Sequence, residues 1–262
     1  MDINLKDKNI LIIGAASGLG LSLLGGFLEE GSNVIAIDKN KDHLKILKKK
    51  YPNQLNNKLF LYPVDVREIL EIRKFTNTFL KKFKKLDSLI FCAKSNLKRK
   101  NTQQNWNEIM DVLIKAPMLF IENLKSCIIK NKTSIINIGS TNSSFVSHQP
   151  LAYHVAKSGL NQLTKYYANI LGKYDVRANV VEPGLIKTKK IKKKIANLNK
   201  ILIPLQKPAE FKQICDLILF LSSEKSSYIT GEIIRVDGGV TLSDHPNLVS
   251  KIIKNKIYTI ND

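Results

Sequence analysis

The sequence predicts an α/β fold: a doubly wound parallel sheet of about seven strands with helices on both faces. Three observations carry this. Short apolar runs alternate with longer helical patterns along all 262 residues, as strands joined by crossover helices do. The apolar runs are continuous rather than alternating, which fits strands buried on both faces. The first run ends in a glycine-rich turn that opens a helix.

In chain order, NILII at 9–13 reads as the first strand, and the glycine turn leads into a helix at about 18–30. NVIAI at 33–37 and a helix at 41–51 follow, then LFLYPV at 59–64 and a helix at 67–84. SLIFC at 88–92 precedes a long helix at 104–130, and SIINI at 134–138 precedes another at 151–173. VRANVV at 176–181, a helix at 208–222 and EIIRV at 232–236 complete the pattern. The Lys-rich stretch 185–207 is the longest without an assigned element. No repeat or linker divides the chain, and a single domain spanning 1–262 is within the range of one α/β core.

With 44% hydrophobic and 24% charged residues, the composition is that of a soluble globular protein. No apolar run reaches the roughly 18 residues that span a bilayer. The N-terminus lacks the longer apolar region and cleavage site of a secretory signal, so a cytoplasmic protein is expected. Cys92, Cys127 and Cys215 are odd in number and far apart, poor material for disulfides or zinc. Free thiols and no metal site are expected. The net charge of +20 invites a nucleic-acid hypothesis. Yet 37 of the 42 basic residues are Lys, whereas phosphate and base readers favour the Arg fork. No nucleic-acid motif accompanies the charge, and a compositional drift toward Lys, Asn and Ile explains it.

The turn ILIIGAASGLGLSLL sets Gly14, Gly18 and Gly20 between a buried strand and a helix start. Glycines there let the backbone approach a pyrophosphate, and the helix N-terminus offers free N–H groups. The spacing is GxxxGxG, not the GxGxxG dinucleotide fingerprint. The second strand ends in Asp38, 24 residues beyond Gly14. A carboxylate at that point accepts hydrogen bonds from the adenosine ribose and repels a 2′-phosphate, favouring NAD over NADP. Ser17, not a basic residue, precedes Gly18, while Lys39 softens the discrimination.

Tyr153 and Lys157 stand four apart, on one helix face. An ammonium beside a phenol lowers the phenol's pKa, which suits proton transfer near neutrality. Ser140, at the end of the strand in SIINIGS, is placed to hydrogen-bond a substrate carbonyl and help orient Tyr153. A lone Tyr-x-x-x-Lys pair is common on solvated helices; the glycine loop, Asp38 and Ser140 make this one a catalytic candidate. His148 and His154 flank the run and read as pocket lining or surface.

Together these motifs resemble the short-chain dehydrogenase/reductase family in its single-domain branch. The resemblance spans residues 5 to about 240 and continues in VDV at 64–66, VRANVVEPGLIKT at 176–188 and ITGEIIRVDGG at 229–239. It implies a Rossmann-type doubly wound parallel sheet and hydride transfer between nicotinamide and a secondary alcohol or ketone. It implies Tyr153 as acid/base, Ser140 as carbonyl partner, and Lys157 holding the nicotinamide ribose and biasing the tyrosine. Asp65 and Val66 would border the adenine. Gly14, Ser17, Gly18, Leu19, Gly20, Asp38 and Ala93 would complete the cofactor contacts on that side. Pro183, Gly184, Ile186 and Thr188 would wrap the nicotinamide end.

The chain departs from the family at three points. Where the family has Asn-Asn-Ala-Gly after the fourth strand, this chain has Phe91-Cys92-Ala93-Lys94. Lys94 replaces a residue with no side chain, and either crowds the site or meets a phosphate. In WNEIMDVLIKAP, Leu113 stands where the family places a catalytic Asn that helps hold a relay water. A main-chain carbonyl at 113 preserves that site; a requirement for the amide impairs it. Ile13 replaces a loop-stabilising Thr.

The segment 185–207 corresponds to the family's substrate lid, with six Lys between 187 and 194. A basic lid favours an anionic substrate, such as a nucleotide sugar, a carrier-bound acyl thioester or a carboxylated sugar; a solvated charge run is the plainer reading. Residues 241–262 form a C-terminal extension, and a homotetramer or homodimer is implied. The leading expectation is an NAD-dependent oxidoreductase on a carbohydrate or nucleotide sugar. The alternatives are a 3-oxoacyl-(acyl-carrier-protein) reductase-like enzyme and a catalytically impaired cofactor-binding member. An enoyl reductase is disfavoured, since that branch spaces Tyr and Lys further apart and Pro150 stands at the earlier position.

Overall fold

The computed structural model describes residues 3–95, 102–187 and 202–242. Its strands are β1 (Asn9–Ile13), β2 (Asn33–Asp38), β3 (Leu59–Pro63), β4 (Ser88–Phe91), β5 (Ser134–Ile138), β6 (Arg177–Pro183) and β7 (Ile233–Val236). All pair in parallel in the order β3-β2-β1-β4-β5-β6-β7. The helices are α1 (Gly18–Glu29), α2 (Lys41–Lys50), α3 (Ile69–Lys82), α4 (Gln103–Met110), α5 (Ala116–Asn131), α6 (Leu151–Gly172) and α7 (Phe211–Ser222). The expected Rossmann-type doubly wound sheet is the architecture observed.

Successive strand residues point to opposite faces, and here both faces are covered. Ile10, Ile12, Val34 and Ala36 pack with Leu23 and Phe27 of α1 and Ile218 of α7. Leu11, Ile13, Ile35 and Ile37 pack with Phe79 of α3 and Phe120 of α5. Two-sided burial is why the strands read as unbroken apolar runs. The chain starts at mid-sheet, runs out to β3, then returns to place β4 on the other side of β1. Loops leaving the carboxyl ends of β1 and β4 therefore turn to opposite faces, and a crevice opens between them.

The predicted helix 104–130 is interrupted. Between α4 and α5, residues Asp111–Lys115 form a π turn. Pro117 sits in the first turn of α5. Inside a continuous α-helix its ring would collide with the carbonyl of Leu113, and it has no N–H to offer that carbonyl. The wider turn accommodates both problems and leaves Leu113 facing the sheet's carboxyl end, where it is buried. π turns of this kind concentrate at functional sites.

Phe120 is fully buried, with ring centroids 5.5 Å from Phe91 and 6.1 Å from Phe75. Phe120→Ala should lower the unfolding free energy by roughly 3–5 kcal/mol in urea titrations, a core cavity with no nearby side chain free to fill it. A loss under about 1 kcal/mol would mean the α3–α5 layer is not packed as described.

Candidate active site

The glycine loop is shaped by close backbone contact. Gly14 has φ +83°, and a side-chain carbon there would stand 2.6 Å from the Cα of Ala93 in the loop after β4. One on Gly20 would stand 2.0 Å from the Gly14 carbonyl oxygen. Neither position admits a methyl group. The N–H groups of Gly14 and Ala15 both donate to the Ile37 carbonyl, at 2.9 and 3.1 Å. Asp38 adds to this clamp: its carboxylate accepts from the Ala16 N–H at 3.0 Å and the Asn40 N–H at 2.9 Å. The acid expected at the ribose thus also fastens the loop, a role with no signature in the sequence. Ser17 caps α1 in extended conformation, and its hydroxyl makes no capping bond. The first-turn N–H groups are therefore left for an anion.

A cleft runs from this loop past Ser17, Asp38, Asp65 and Val66 to Ala93. Its lining, a glycine loop with free N–H groups beside two carboxylates, offers partners for an adenosine with an attached diphosphate. Asp65 lies folded onto Arg67, whose Nε donates to it at 3.0 Å, and Arg67 also approaches Glu108 of α4 at 3.9 Å. The Arg67 hydrogen bond holds the Asp65 carboxyl below the usual carboxylate range against the cost of burial. Sequence reasoning missed Arg67; its position two residues beyond the acid was the available signal.

A second cleft, about 810 Å³, adjoins the first through Cys92, Ala93 and Lys94. It brings together Ser140, Tyr153 and Lys157 with Leu19, Leu113, Pro183, Gly184 and Ile186. Gly18 and Gly20 line neither cleft and act through the loop. Thr188 lies outside the described residues, as do 188–201 of the expected lid and 243–262 of the C-terminal extension. Cys92, Cys127 and Cys215 are buried free thiols, and burial pushes the Cys92 thiol up to about 12. That keeps Cys92 a protonated wall of the cleft rather than a nucleophile.

Ser140 has extended backbone and accepts a hydrogen bond from the Asn142 N–H at 3.2 Å. Its side chain is also hydrogen-bonded to Tyr153. The Lys157 ammonium donates to the Ile138 carbonyl at 2.6 Å and stands 5.8 Å from the centre of the Tyr153 ring. The expectation that Lys157 lowers the Tyr153 pKa is not met in this arrangement. Burial raises the Tyr153 phenol above its ordinary value, outweighing the Ser140 hydrogen bond, while Lys157 is turned to Ile138. Lys157 is itself drawn down to about 8, chiefly by burial, with Lys94 adding repulsion and Cys92 and Glu182 opposing.

Two further residues brace the serine loop, neither singled out in the sequence as doing so. Glu182 of β6 is fully buried and accepts from Ser143, from Asn161 of α6 at 2.8 Å and from Arg235 of β7 at 3.3 Å. An acid inside the apolar run VRANVVEP was its signal. His154, read as lining or surface, joins the same loop through Nδ1, 2.9 Å from the Asn142 carbonyl. His148 is exposed.

The depressed Lys157 value has a stability consequence. Between pH 8 and 10.5 the unfolded chain keeps this proton and the folded chain does not, so folding strengthens as pH rises. Below pH 8 the cost of burying the ammonium is fully present. Relative to Lys157→Met, the wild type should gain roughly 2–3 kcal/mol in urea unfolding across that window. Parallel stability curves for the two proteins would contradict the burial of a charged Lys157.

Comparison with known proteins agrees with this geometry. A family profile described as enoyl-(acyl carrier protein) reductase matches residues 14–241. The 3-oxoacyl-(acyl-carrier-protein) reductase of Thermotoga maritima is 30% identical over 247 residues, covering 92% of this chain and all of that one. The NAD-dependent glycerol dehydrogenase of Listeria innocua is 26% identical over 249 residues, covering 92% of this chain and 96% of its own. L-sorbose reductase from Gluconobacter frateurii, solved with NADPH and L-sorbose, superposes with a TM-score of 0.85 at 22% identity, covering 93% of this chain and all of that one. With a family profile over most of its length and a relative at this identity end to end, the chain belongs to the short-chain dehydrogenase/reductase family and is an oxidoreductase of that type.

Proposed function

We propose that the protein is an NAD-dependent oxidoreductase that moves a hydride between nicotinamide and a carbon bearing a secondary hydroxyl or keto oxygen. One observation carries the reading: Ser140, Tyr153 and Lys157 share a cleft that opens into the one bounded by the glycine loop and Asp38. The fit to a dinucleotide rests on a loop with no room for side chains, uncapped N–H groups at α1 and a carboxylate at the β2 end. The L-sorbose reductase structure contains NADPH and the Listeria relative uses NAD; Asp38 is the reason NAD is preferred here.

The bound nicotinamide supplies or accepts the hydride; the chain's residues do the rest. In the reducing direction Ser140 and Tyr153 hydrogen-bond the substrate oxygen, and Tyr153 gives it the phenolic proton. A phenol held protonated by burial is suited to that acid role. In the oxidising direction Tyr153 must lose its proton against the burial that holds the phenol protonated, and the Ser140 hydrogen bond is what favours the phenolate. We assign the relay water at residue 113 to the main chain, since Leu113 has no polar side chain. Its carbonyl lacks the α-helical donor that Pro117 cannot supply.

Leu113 and Ile138 line the second cleft beside the catalytic residues, with Leu19 and Ile186 toward the proposed nicotinamide. A carbohydrate or nucleotide sugar is the first substrate class. A carrier-bound 3-oxoacyl chain is the second, favoured by the Thermotoga relative, whose length the chain matches throughout. The protein is proposed to act in the cytoplasm as a homotetramer or homodimer; among the described residues no helix is long and apolar enough to cross a membrane.

A direct test combines binding with turnover. NADH should quench or enhance fluorescence at lower concentration than NADPH, and Asp38→Ala should narrow that gap. Turnover should then be screened on polyols, nucleotide sugars and acetoacetyl thioesters. Tyr153→Phe should lower kcat by about 10²–10⁴ while dinucleotide binding persists. Dinucleotide binding with no turnover on any of these classes would support the impaired-member alternative, and tighter binding of NADPH would remove the role given to Asp38.

A further inference from the structure

Lys94 remains unexplained by the family pattern, where its position has no side chain. It follows Ala93, whose backbone meets Gly14, so its place is fixed by a close backbone contact. Its side chain lines both clefts at their junction. The ammonium nitrogen stands 3.6 Å from the point where a side chain on Gly18 would begin, with Phe211 of α7 on the flank at 3.9 Å. Gly18 opens α1.

In that placement the ammonium is exposed to solvent and adjoins other positive groups. The N-terminus of a helix carries about half a positive charge, and α1 is not side-chain-capped. Lys157 contributes a second cation, and the repulsion of Lys94 reaches it. Lysines elsewhere, such as Lys8, Lys58, Lys85 and Lys187, lie against carboxylates. Among the described residues Lys94 pairs with none. The acids in the first cleft are already engaged, Asp38 by the Ala16 and Asn40 N–H groups and Asp65 by Arg67. A dianion seated at the α1 N-terminus would answer both the helix end and Lys94 at once.

We infer that Lys94 is a diphosphate-binding residue, reaching across the glycine loop to the group that links the two halves of the dinucleotide. This rests on the dinucleotide reading above. Of the two outcomes left open by the sequence, crowding and phosphate contact, the geometry favours contact: the ammonium lies beside the open face of Gly18 without striking it. The loop thereby gains a charge-assisted donor beside its N–H groups. Affinity at this site should depend on the diphosphate more than on the adenosine.

Calorimetry on the full chain without substrate tests this, using ADP-ribose, NADH and adenosine as probes against Lys94→Met and Lys94→Arg. Lys94→Met should weaken ADP-ribose and NADH about tenfold or more, change adenosine less than about twofold, and Lys94→Arg should retain most of the affinity. Unliganded thermal midpoints should coincide, because Lys94 is exposed. Equal ADP-ribose affinity in Lys94→Met and wild type would overturn the inference, as would a parallel loss for adenosine, which would mark loop damage. A wild-type protein that binds neither NADH nor ADP-ribose would instead refute the cofactor reading itself.

Discussion

Two backbones meet between Gly14 and Ala93, and the rest of the site is arranged around that contact. The loops leaving β1 and β4 part at the reversal of strand order, where the fold opens a crevice. Because no side chain separates them, the glycine loop is pressed onto the floor of the crevice and α1 starts in a fixed place. Asp38 and the Ile37 carbonyl fasten the loop from the other side. The cleft is thus built of main-chain atoms held from two directions, which is the condition for presenting N–H groups to an anion without reorganisation.

On the far side of β4 the construction is different. There the serine loop, α6 and β7 converge on one buried carboxylate, Glu182. Three donors from three elements offset the cost of burying that charge, which unpaired would be prohibitive. Ser140 lies at the start of the loop this carboxylate braces, and Tyr153 and Lys157 lie on the helix it also touches. The serine, the tyrosine and the lysine consequently share a support none of them contacts directly through its own hydroxyl or amine.

Much of this was legible in the chain. Every expected strand is present to within about two residues, and the central ones, β1, β2 and β4, stand out because burial on both faces makes them nearly continuous apolar runs. Gly14, Asp38, Ser140, Tyr153 and Lys157 fall where motif spacing put them, since each sits at or just beyond a strand end or on one helix face. What escaped was tertiary. Arg67 on Asp65 and Glu182 on Ser143 are pairings between distant or bent segments, which no local period encodes. The sign of the Tyr153 shift also escaped: the spacing to Lys157 on a helix was visible, but neither the depth of burial nor the turn of Lys157 to the Ile138 carbonyl was. The π turn was hidden for a similar reason, because one extra residue in a helix leaves apolar periodicity nearly intact.

That turn alters how position 113 should be weighed in evolutionary terms. A carbonyl denied its helical partner by Pro117 is a property of the backbone, and it survives any exchange of the side chain attached to it. An exchange at 113 therefore changes the wall of the cleft, whereas an exchange at 117 changes which donors its carbonyl meets. Inventories that score such proteins by matching side chains would record a loss at 113 and overlook the residue that keeps the backbone open.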